Sequence, residues 1–394
     1  MGWQIFRMSK PAAPEAKASA AGPVVAFQGA GRPAWSARDP GTLTRVGFLG
    51  NPVAFRCVKL IAEAAAAVPV VAQDTGRRFE THPALDLLAA PNPGQSGAEM
   101  LEAFYGHLLL TGDAYLEASG EVPSGGPREL YALRSDRMKV VPGADGWPVA
   151  YEYAVGAKRH VFDMRAERPP VLHVKAFHPQ DDHYGLTPMA AAAAAIDVHN
   201  SAAAWSKALL DNAARPSGAI VYKGADGMGS LGSDQYARLV EELESHHQGA
   251  RNAGRPMLLE GGLDWKPMGF SPSDMEFHRT KEAAARDIAL AFGTPPMLLG
   301  LPGDNTYANY AEAHRAFYRL TVLPMVAKTL AAVSAWLAPQ YGPRYGPGFT
   351  VKVDYDNVPA LAEEREALWR RIAAADFLSA GEKRRLLGLP GEGA

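Results

Sequence analysis

Helical spacing of apolar residues begins at Asn51-Pro52. Phe55, Val58, Ile61, Ala62 and Ala65 fall on one stripe, and Pro69 closes the run. Asparagine is a strong N-cap, and proline suits the first helical position, where its missing N–H costs nothing. A second run opens at Ser96, with Glu99 at capping-box spacing, and carries Leu101, Phe104, Tyr105, Leu108 and Leu109 to a stop at Gly112. Residues 9–42 are rich in Ala, Pro, Gly and Ser and poor in side chains to bury, so the start of the chain, bounded at 1–48, reads as a flexible arm.

The period then changes. Short segments at 113–118, 130–133, 138–141, 151–155, 160–162 and 171–177, bounded by Pro, Gly and Asp, predict antiparallel strands with a tight turn at 142–146. Thr187 caps and Pro188 opens a long helix that runs to residue 214, where Arg215-Pro216 stops it. Its face is largely alanine, including six in a row at Ala190 to Ala195. Alanine favours helix but buries little area, so this helix is either an ordinary core helix or one packed closely against another helix or against copies of itself.

Residues 215–270 form an insert with strand (219–223), helix (234–247) and strand (257–260) character. A second long helix starts at Ser273, with Glu276 as capping-box partner, ends at Gly293 and is closed by Pro295-Pro296. A loop over 295–306 leads to a helix over 307–337. Pro324 lies inside it, removes a backbone hydrogen bond and forces a kink. A strand at 349–355, a helix at 361–375 and a short helix capped by Ser379 with Glu382 complete the pattern.

Composition narrows the function classes. Across 394 residues, 47% are apolar and 21% charged, which is globular composition with ample material for a core. Forty Lys and Arg against forty-two Asp and Glu leave a net charge of −2. That balance disfavours a protein that grips nucleic acid, because affinity there is assembled from many phosphate–cation contacts. It is compatible with one that lets nucleic acid slide past. Cys57 is the single cysteine, so intrachain disulfides and multi-cysteine metal sites are excluded, and its place on the first helix makes it core filler. The most apolar stretch, 320–337, contains Lys328 and Pro324, and the N-terminus lacks a signal-peptide core. The expectation is a chain made and kept in a cytoplasm-like compartment.

Gly227-Met-Gly229-Ser-Leu-Gly232 matches the dinucleotide fingerprint, yet several residues separate it from the strand before, and the helix cap, Ser233, follows the last glycine. A surface loop is the better reading, with a dinucleotide-binding oxidoreductase as the alternative. No lysine follows a glycine, so there is no Walker A loop. His178, Asp181, Asp182 and His183 could in principle ligate a metal but read as a polar loop after a strand, and His246-His247 as solvated charge near a helix end. Asp354, Asp356 and Asn357 imitate the opening of a calcium loop until Val358-Pro359 replaces the next ligand and the glycine turn.

Several segments together resemble the portal proteins of tailed bacteriophages, in the compact branch also carried by prophages and gene transfer agents. The residues that carry the resemblance are Asn51-Pro-Val-Ala-Phe-Arg-Cys-Val-Lys-Leu-Ile-Ala-Glu63, His82-Pro-Ala-Leu-Asp-Leu-Leu88 with Pro91-Asn-Pro93, and Leu110-Thr-Gly-Asp-Ala-Tyr-Leu116. Further on are Arg286-Asp-Ile-Ala-Leu-Ala-Phe-Gly-Thr-Pro-Pro-Met-Leu-Leu-Gly300, Asp304-Asn-Thr-Tyr-Ala-Asn-Tyr310 and Leu378-Ser-Ala-Gly-Glu-Lys-Arg-Arg385. The anchors keep the family's order over residues 50 to 390.

The resemblance implies an α+β portal fold assembled as a ring, typically of twelve subunits, at one capsid vertex, without enzymatic activity or cofactor. Residues 49–186 would be the α/β wing, 187–214 the first stem helix, 215–271 the small α/β clip and 272–294 the second stem helix. Residues 295–309 would be the tunnel loop, 310–360 the kinked helix and returning wing strand, and 361–394 a short helical crown. Implied partners are other copies of the chain, the terminase large subunit, a head–tail adaptor, the major capsid protein, and double-stranded DNA passing without sequence specificity. The ring would be assembled in the host cytoplasm and reside in the virion. Within that frame Gly303, Asp304, Asn305, Thr306 and Tyr307 are expected to line the channel, and Glu241, Glu242 and Glu244 of the clip to dock partners. Close-packing alanine helices, near-neutral charge and the missing nucleotide loop all suit a conduit that borrows its motor.

Overall fold

The computed structural model describes residues 35–74, 78–79, 81–122, 125–211, 218–222, 232, 234, 237–238, 241, 263–267, 277–301, 307–341 and 348–389. The chain divides into two compact units, one of residues 1–34 with 207–271 and one of 35–206 with 272–394.

The larger unit starts earlier than the pattern suggests. Residues 35–48, expected to belong to the flexible arm, are folded. Asp39 caps a short helix at Pro40–Leu43, which passes into a π-turn at Thr44–Phe48. Ser36 donates to the Asp197 carboxylate through its backbone N–H (2.9 Å) and its hydroxyl (2.6 Å). Gly47 explains why a linker-like composition packs here: a Cβ on it would lie 2.0 Å from the end of the Met189 side chain.

Helix α1 (Pro52–Ala66) follows, capped by Asn51 as expected. Its buried face is Ala54, Cys57, Val58, Ile61, Ala62 and Ala65, whereas Phe55, placed on the stripe by its spacing, is 43% exposed. Arg56, Lys59 and Glu63 mark the polar stripe of this helix, and Phe55 lies at its edge, where its ring packs at a tilt on Phe48 (5.0 Å between centroids). Strands β1 (Val70–Gln73) and β2 (Arg78–Phe79) come next, then α2 (Pro83–Ala89), capped by the His82 ring, and α3 (Gly97–Thr111). The Ser96–Glu99 capping box of α3 is complete.

Six strands then form two antiparallel sheets: β3 (Asp113–Ser119), β4 (Glu129–Leu133), β5 (Met138–Pro142), β6 (Pro148–Val155), β7 (Lys158–Asp163) and β8 (Val171–Lys175). Their orders are β4-β3-β8 and β5-β6-β7. Inward residues of both sheets, among them Tyr115, Met138, Val140, Tyr151 and Phe162, make a small second core beside the main one.

Helix α4 (Pro188–Asp211) is the first long helix, with Thr187 accepting from Met189 N–H (3.0 Å) as its cap. Its expected end near residue 214 lies outside the described residues. In the smaller unit, β9 (Gly218–Tyr222) pairs antiparallel with β10 (Leu263–Pro267). The first of these matches the expected strand at 219–223; the expected second strand, 257–260, lies outside the described residues.

Back in the larger unit, α5 (Phe277–Ala291) is the second long helix, and its expected cap at Ser273 lies outside the described residues. Helix α6 (Tyr307–Phe317) then passes through a π-turn at Tyr318–Val322 into α7 (Leu323–Tyr341). Where a kink is expected at Pro324, the backbone makes a π-turn just before the proline, whose i→i+5 bonding accommodates the missing donor. The helix also runs through Pro339, beyond the expected end at 337. Strand β11 (Thr350–Val353) returns to pair with β1, giving the order β11-β1-β2, and α8 (Ala362–Ala373) and α9 (Ala380–Leu386, with its Ser379–Glu382 box) end the described chain. The main core gathers Ile61, Met100, Phe104, Tyr105, Ile288, Phe317 and Phe349 from α1, α3, α5, α6 and the start of β11.

One glycine is forced by both conformation and space. Gly112 ends α3 at φ +84°, and a Cβ there would lie 2.3 Å from the Gly185 carbonyl oxygen. Gly112→Ala is expected to cost more than about 2 kcal/mol, from the left-handed backbone plus a clash with backbone that cannot swing aside. Thermal melting of the variant beside the parent checks this; an unchanged Tm contradicts the packing described.

Candidate functional site

The segment expected to line a channel is built from its two ends. At the near end, α5 closes on buried Phe292, and Gly293 adopts φ +64°, letting Thr294 N–H return to the Ala289 carbonyl (2.9 Å). Pro295 then leads into a 3-10 turn at Pro296–Leu299, capped by Gly300 at φ +72°. Leu298 and Leu299 pack on the main core. At the far end, Tyr307 is the first residue of α6.

A single hydroxyl ties these ends together. The Thr321 hydroxyl, inside the π-turn, donates to the Gly293 carbonyl at 2.6 Å, and a Cβ on Gly293 would sit 2.8 Å from Thr321 Oγ1. The widened turn and the left-handed glycine thus fit each other, fixing where the loop leaves the body. Arg315 and Arg319 brace the same helix against α8 by pairing with Glu363 (2.9 Å) and Glu364 (3.4 Å). Of the channel candidates, Gly303, Asp304, Asn305 and Thr306 lie outside the described residues; only the helical backbone of Tyr307 is within them. Of the clip candidates, Glu242 and Glu244 lie outside, while Glu241 is helical and exposed.

Helix α4 is seated by a buried polar clamp. Asn51 is 1% exposed, and its carboxamide is used fully. Oδ1 accepts from Val53 and Ala54 N–H (3.0 Å each), while Nδ2 donates to Asn200 Oδ1 (2.8 Å) and His199 Nδ1 (3.1 Å). Asn200 in turn donates to the Val46 carbonyl (3.1 Å), so one network joins the π-turn, α1 and α4. His199 must accept on Nδ1, and burial, with the Lys281 charge nearby, holds its pKa below the ordinary histidine value. Around the clamp Met189, Ala192, Ala193, Ile196 and Ala202 pack inward, leaving Ala191, Ala194, Ser201 and Ala204 exposed.

The other polar candidates serve the fold. Asp354 pairs with Arg78 and accepts from Asn357 (2.7 Å), and Asp356 accepts from Arg365 (2.6 Å) and Trp369 (2.9 Å), so cations and donors of the chain occupy these carboxylates. Asp181 accepts from His183 and Tyr184 N–H (2.7 and 2.9 Å), and His178 from Gln180 N–H (3.1 Å), a self-capped turn. In the glycine motif, Gly227 and Gly229 lie outside the described residues. Cys57 is buried, which pushes its thiol up to about 12 and keeps it unreactive. One cluster carries no local signal in the sequence. Asp113 accepts from His173 Nε2 (2.8 Å) and Gly185 N–H (3.0 Å), while His173 Nδ1 meets the Tyr151 hydroxyl (3.1 Å) and its ring stacks on Tyr115. Strand register sets Tyr115 opposite His173, and alternation of apolar and polar positions does not reveal register.

A family model described as phage portal protein matches residues 52–388. The probable portal protein of Streptomyces phage phiC31 is 25% identical over 339 residues, spanning 83% of this chain and 72% of that protein. A solved chain from the neck of an empty gene transfer agent particle, computed with C6 symmetry, is 66% identical with a TM-score of 0.72, covering 92% of this chain and 96% of that one. Another, from the neck of the native particle computed with C12 symmetry, is 65% identical with a TM-score of 0.69, covering 92% and 97%.

Two outcomes follow from the clamp. Asn51→Ala removes the cap of α1 and strands the buried groups of His199 and Asn200, for a loss of about 2–4 kcal/mol, measurable by denaturant unfolding. His199, His82 and His107 are all held below their ordinary pKa by burial, so the unfolded chain takes up protons first on acidification. Their contribution is complete above about pH 6.5 and is lost as pH falls below it. Tm should therefore fall between pH 7 and 5, with a shallower slope in His199→Gln; an identical slope in the variant counts against the buried neutral ring.

Proposed function

The chain belongs to the phage portal protein family, and from that premise we propose that it forms the ring at one capsid vertex through which DNA is packaged and ejected. The observation that carries this reading is the match over residues 52–388, joined to 65% identity with a chain from a C12-symmetric neck. The family is structural, and the oxidoreductase alternative has no support among the relatives. Its glycine motif, residues 227–232, falls in the insert between the two proposed stem helices.

Roles follow from position in the chain. The folded segment from Trp35 through residue 186 serves as the wing. Helices α4 and α5 serve as the stem, with the exposed small-residue row Ala191, Ala194, Ser201 and Ala204 permitting close approach between copies. The insert 215–271, which includes Glu241, Glu242 and Glu244, serves as the clip that meets the terminase large subunit and then the head–tail adaptor. Contact with the major capsid protein falls to the wing, and α8 and α9 serve as the crown. Rings assemble in the host cytoplasm before entering the virion.

The loop with Gly303, Asp304, Asn305, Thr306 and Tyr307 reaches the bore. Its anchorage supports this: a loop carried on one rigid turn can narrow a channel without collapsing. Asp304 places one negative charge per subunit around the bore, repelling phosphate at close range so that DNA does not stick. Asn305 and Tyr307 add transient contacts blind to sequence.

The purified protein is expected to scatter light as a particle of about 500 kDa, twelve copies of a 42.1 kDa chain in closed cyclic symmetry. A monomer or dimer at high concentration counts against the ring. Asp304→Lys should assemble normally but slow DNA translocation, more so at low salt, where the added cations hold phosphate harder. Failure to assemble would assign Asp304 to a subunit interface, and unchanged packaging at every salt concentration would remove the loop from the DNA path.

A further inference from the structure

Helix α4 changes its mode of attachment halfway along. From Pro188 to Ile196 it is held by apolar packing, with Met189, Ala192, Ala193 and Ile196 buried in the main core. After Ile196 the buried side chains among its described residues are His199 and Ala202. A methyl group contributes little area. The contacts that tie this second half to residues 36–51 are polar. Asp197 accepts from Ser36, His199 and Asn200 both accept from Asn51, and Asn200 donates to the Val46 carbonyl.

The donors in this network admit one charge state of the His199 ring. Asn51 Oδ1 is taken by two backbone N–H groups, so the carboxamide nitrogen faces His199 and Nδ1 is an acceptor. The ring is therefore neutral, with its hydrogen on Nε2. A proton on Nδ1 would face the Asn51 N–H, donor against donor. The other acceptor in the network, Asn200 Oδ1, already serves Asn51 at 2.8 Å. Either arrangement strands an N–H of Asn51, a residue 1% exposed. No anion compensates. The charge that acts on His199 is Lys281 of α5, a like charge once the ring is protonated, whereas Asn51 and Asn200 carry none. Asp197, two residues earlier, is engaged with Ser36, and Arg45 of the π-turn reaches Thr42. Burial first and Lys281 second hold the ring below its ordinary pKa, against an opposing pull from Asn200.

We propose that His199 is an acid-operated latch: on acidification the half of α4 beyond Ile196 is released from residues 36–51 and frays, while the rest of the larger unit stays folded. Detached, a stretch of about ten helical residues is marginal in water. Acid favours release because the ring is neutral when seated and takes up a proton when free. The released population grows as pH falls through the ordinary histidine value of about 6.5, which amounts to about tenfold between pH 7.5 and 5.5. Ser201 and Ala204 of the exposed small-residue row ride on this half, so the latch acts on whatever packs against them. It belongs to the single chain and does not depend on assembly.

Hydrogen exchange of the full-length protein, read as protection factors at pH 7.5 and 5.5, tests the latch. Residues 197–206 should lose about tenfold in protection. Helix α7, which contains no histidine, should keep its protection. Unchanged protection at 197–206, or an equal loss in α7, overturns the proposal. His199→Gln retains an acceptor for Asn51 without a titrating group and should abolish the loss. A loss that persists in this variant assigns the effect to another group, such as Asp197, and overturns the proposal. Asn51→Asp keeps the cap of α1 but turns an anionic acceptor towards the ring. Protonation should then tighten the helix, leaving residues 197–206 better protected at pH 5.5 than at pH 7.5. A loss of the parent's sign in Asn51→Asp overturns the proposal as well.

Discussion

One buried carboxamide orders the junction on which the first long helix depends. Asn51 ends one helix and holds another, and each of its four hydrogen-bonding positions is occupied. A group so fully used in an apolar interior is intolerant of displacement, because moving α4 by a fraction of an ångström leaves several buried polar atoms unpaired at once. An alanine-faced helix cannot supply that precision itself, since methyl groups bury little area and interlock weakly. The polar clamp provides the register, and the alanines keep the outer face smooth.

The same division of labour recurs at the loop. Apolar packing of Phe292, Phe317 and Val322 brings α5 and the bent helix together, but the Thr321–Gly293 bond sets their alignment. The π-turn has a use beyond relieving Pro324: it turns the Thr321 hydroxyl to meet a carbonyl that the end of α5 leaves free. The ion pairs to Glu363 and Glu364 carry the arrangement on to α8.

What the sequence made legible was what lies within one turn of itself. The caps at Asn51, Ser96, Thr187 and Ser379 were readable because donor and acceptor are two or three residues apart. Strands β1 and β2 were not, being four and two residues long, the first with a partner from the far end of the chain. Asn51 was readable as a cap but not as a clamp, since His199 lies 148 residues away. Phe55 misled: an aromatic placed on the stripe by its spacing stays outside, at the edge of the charged row Arg56, Lys59 and Glu63. The Thr321–Gly293 bond was hidden because its two partners lie 28 residues apart.

The pairing of β1 with β11 has a temporal side. The hydroxyl of Thr350 bonds the Gln73 carbonyl across 277 residues of chain, with everything from α2 to α7 made in between. At common synthesis rates of about 5–20 residues per second, β1 waits on the order of 14 to 55 seconds for its partner to leave the ribosome. The N-terminal helices can collapse on one another meanwhile, but the sheet β11-β1-β2 cannot close. Nor can the long apolar helix bury even its inner side before it is synthesised. A nascent chain is therefore poorly equipped to join its neighbours early, and recruitment into a closed assembly is deferred until each polypeptide is essentially finished.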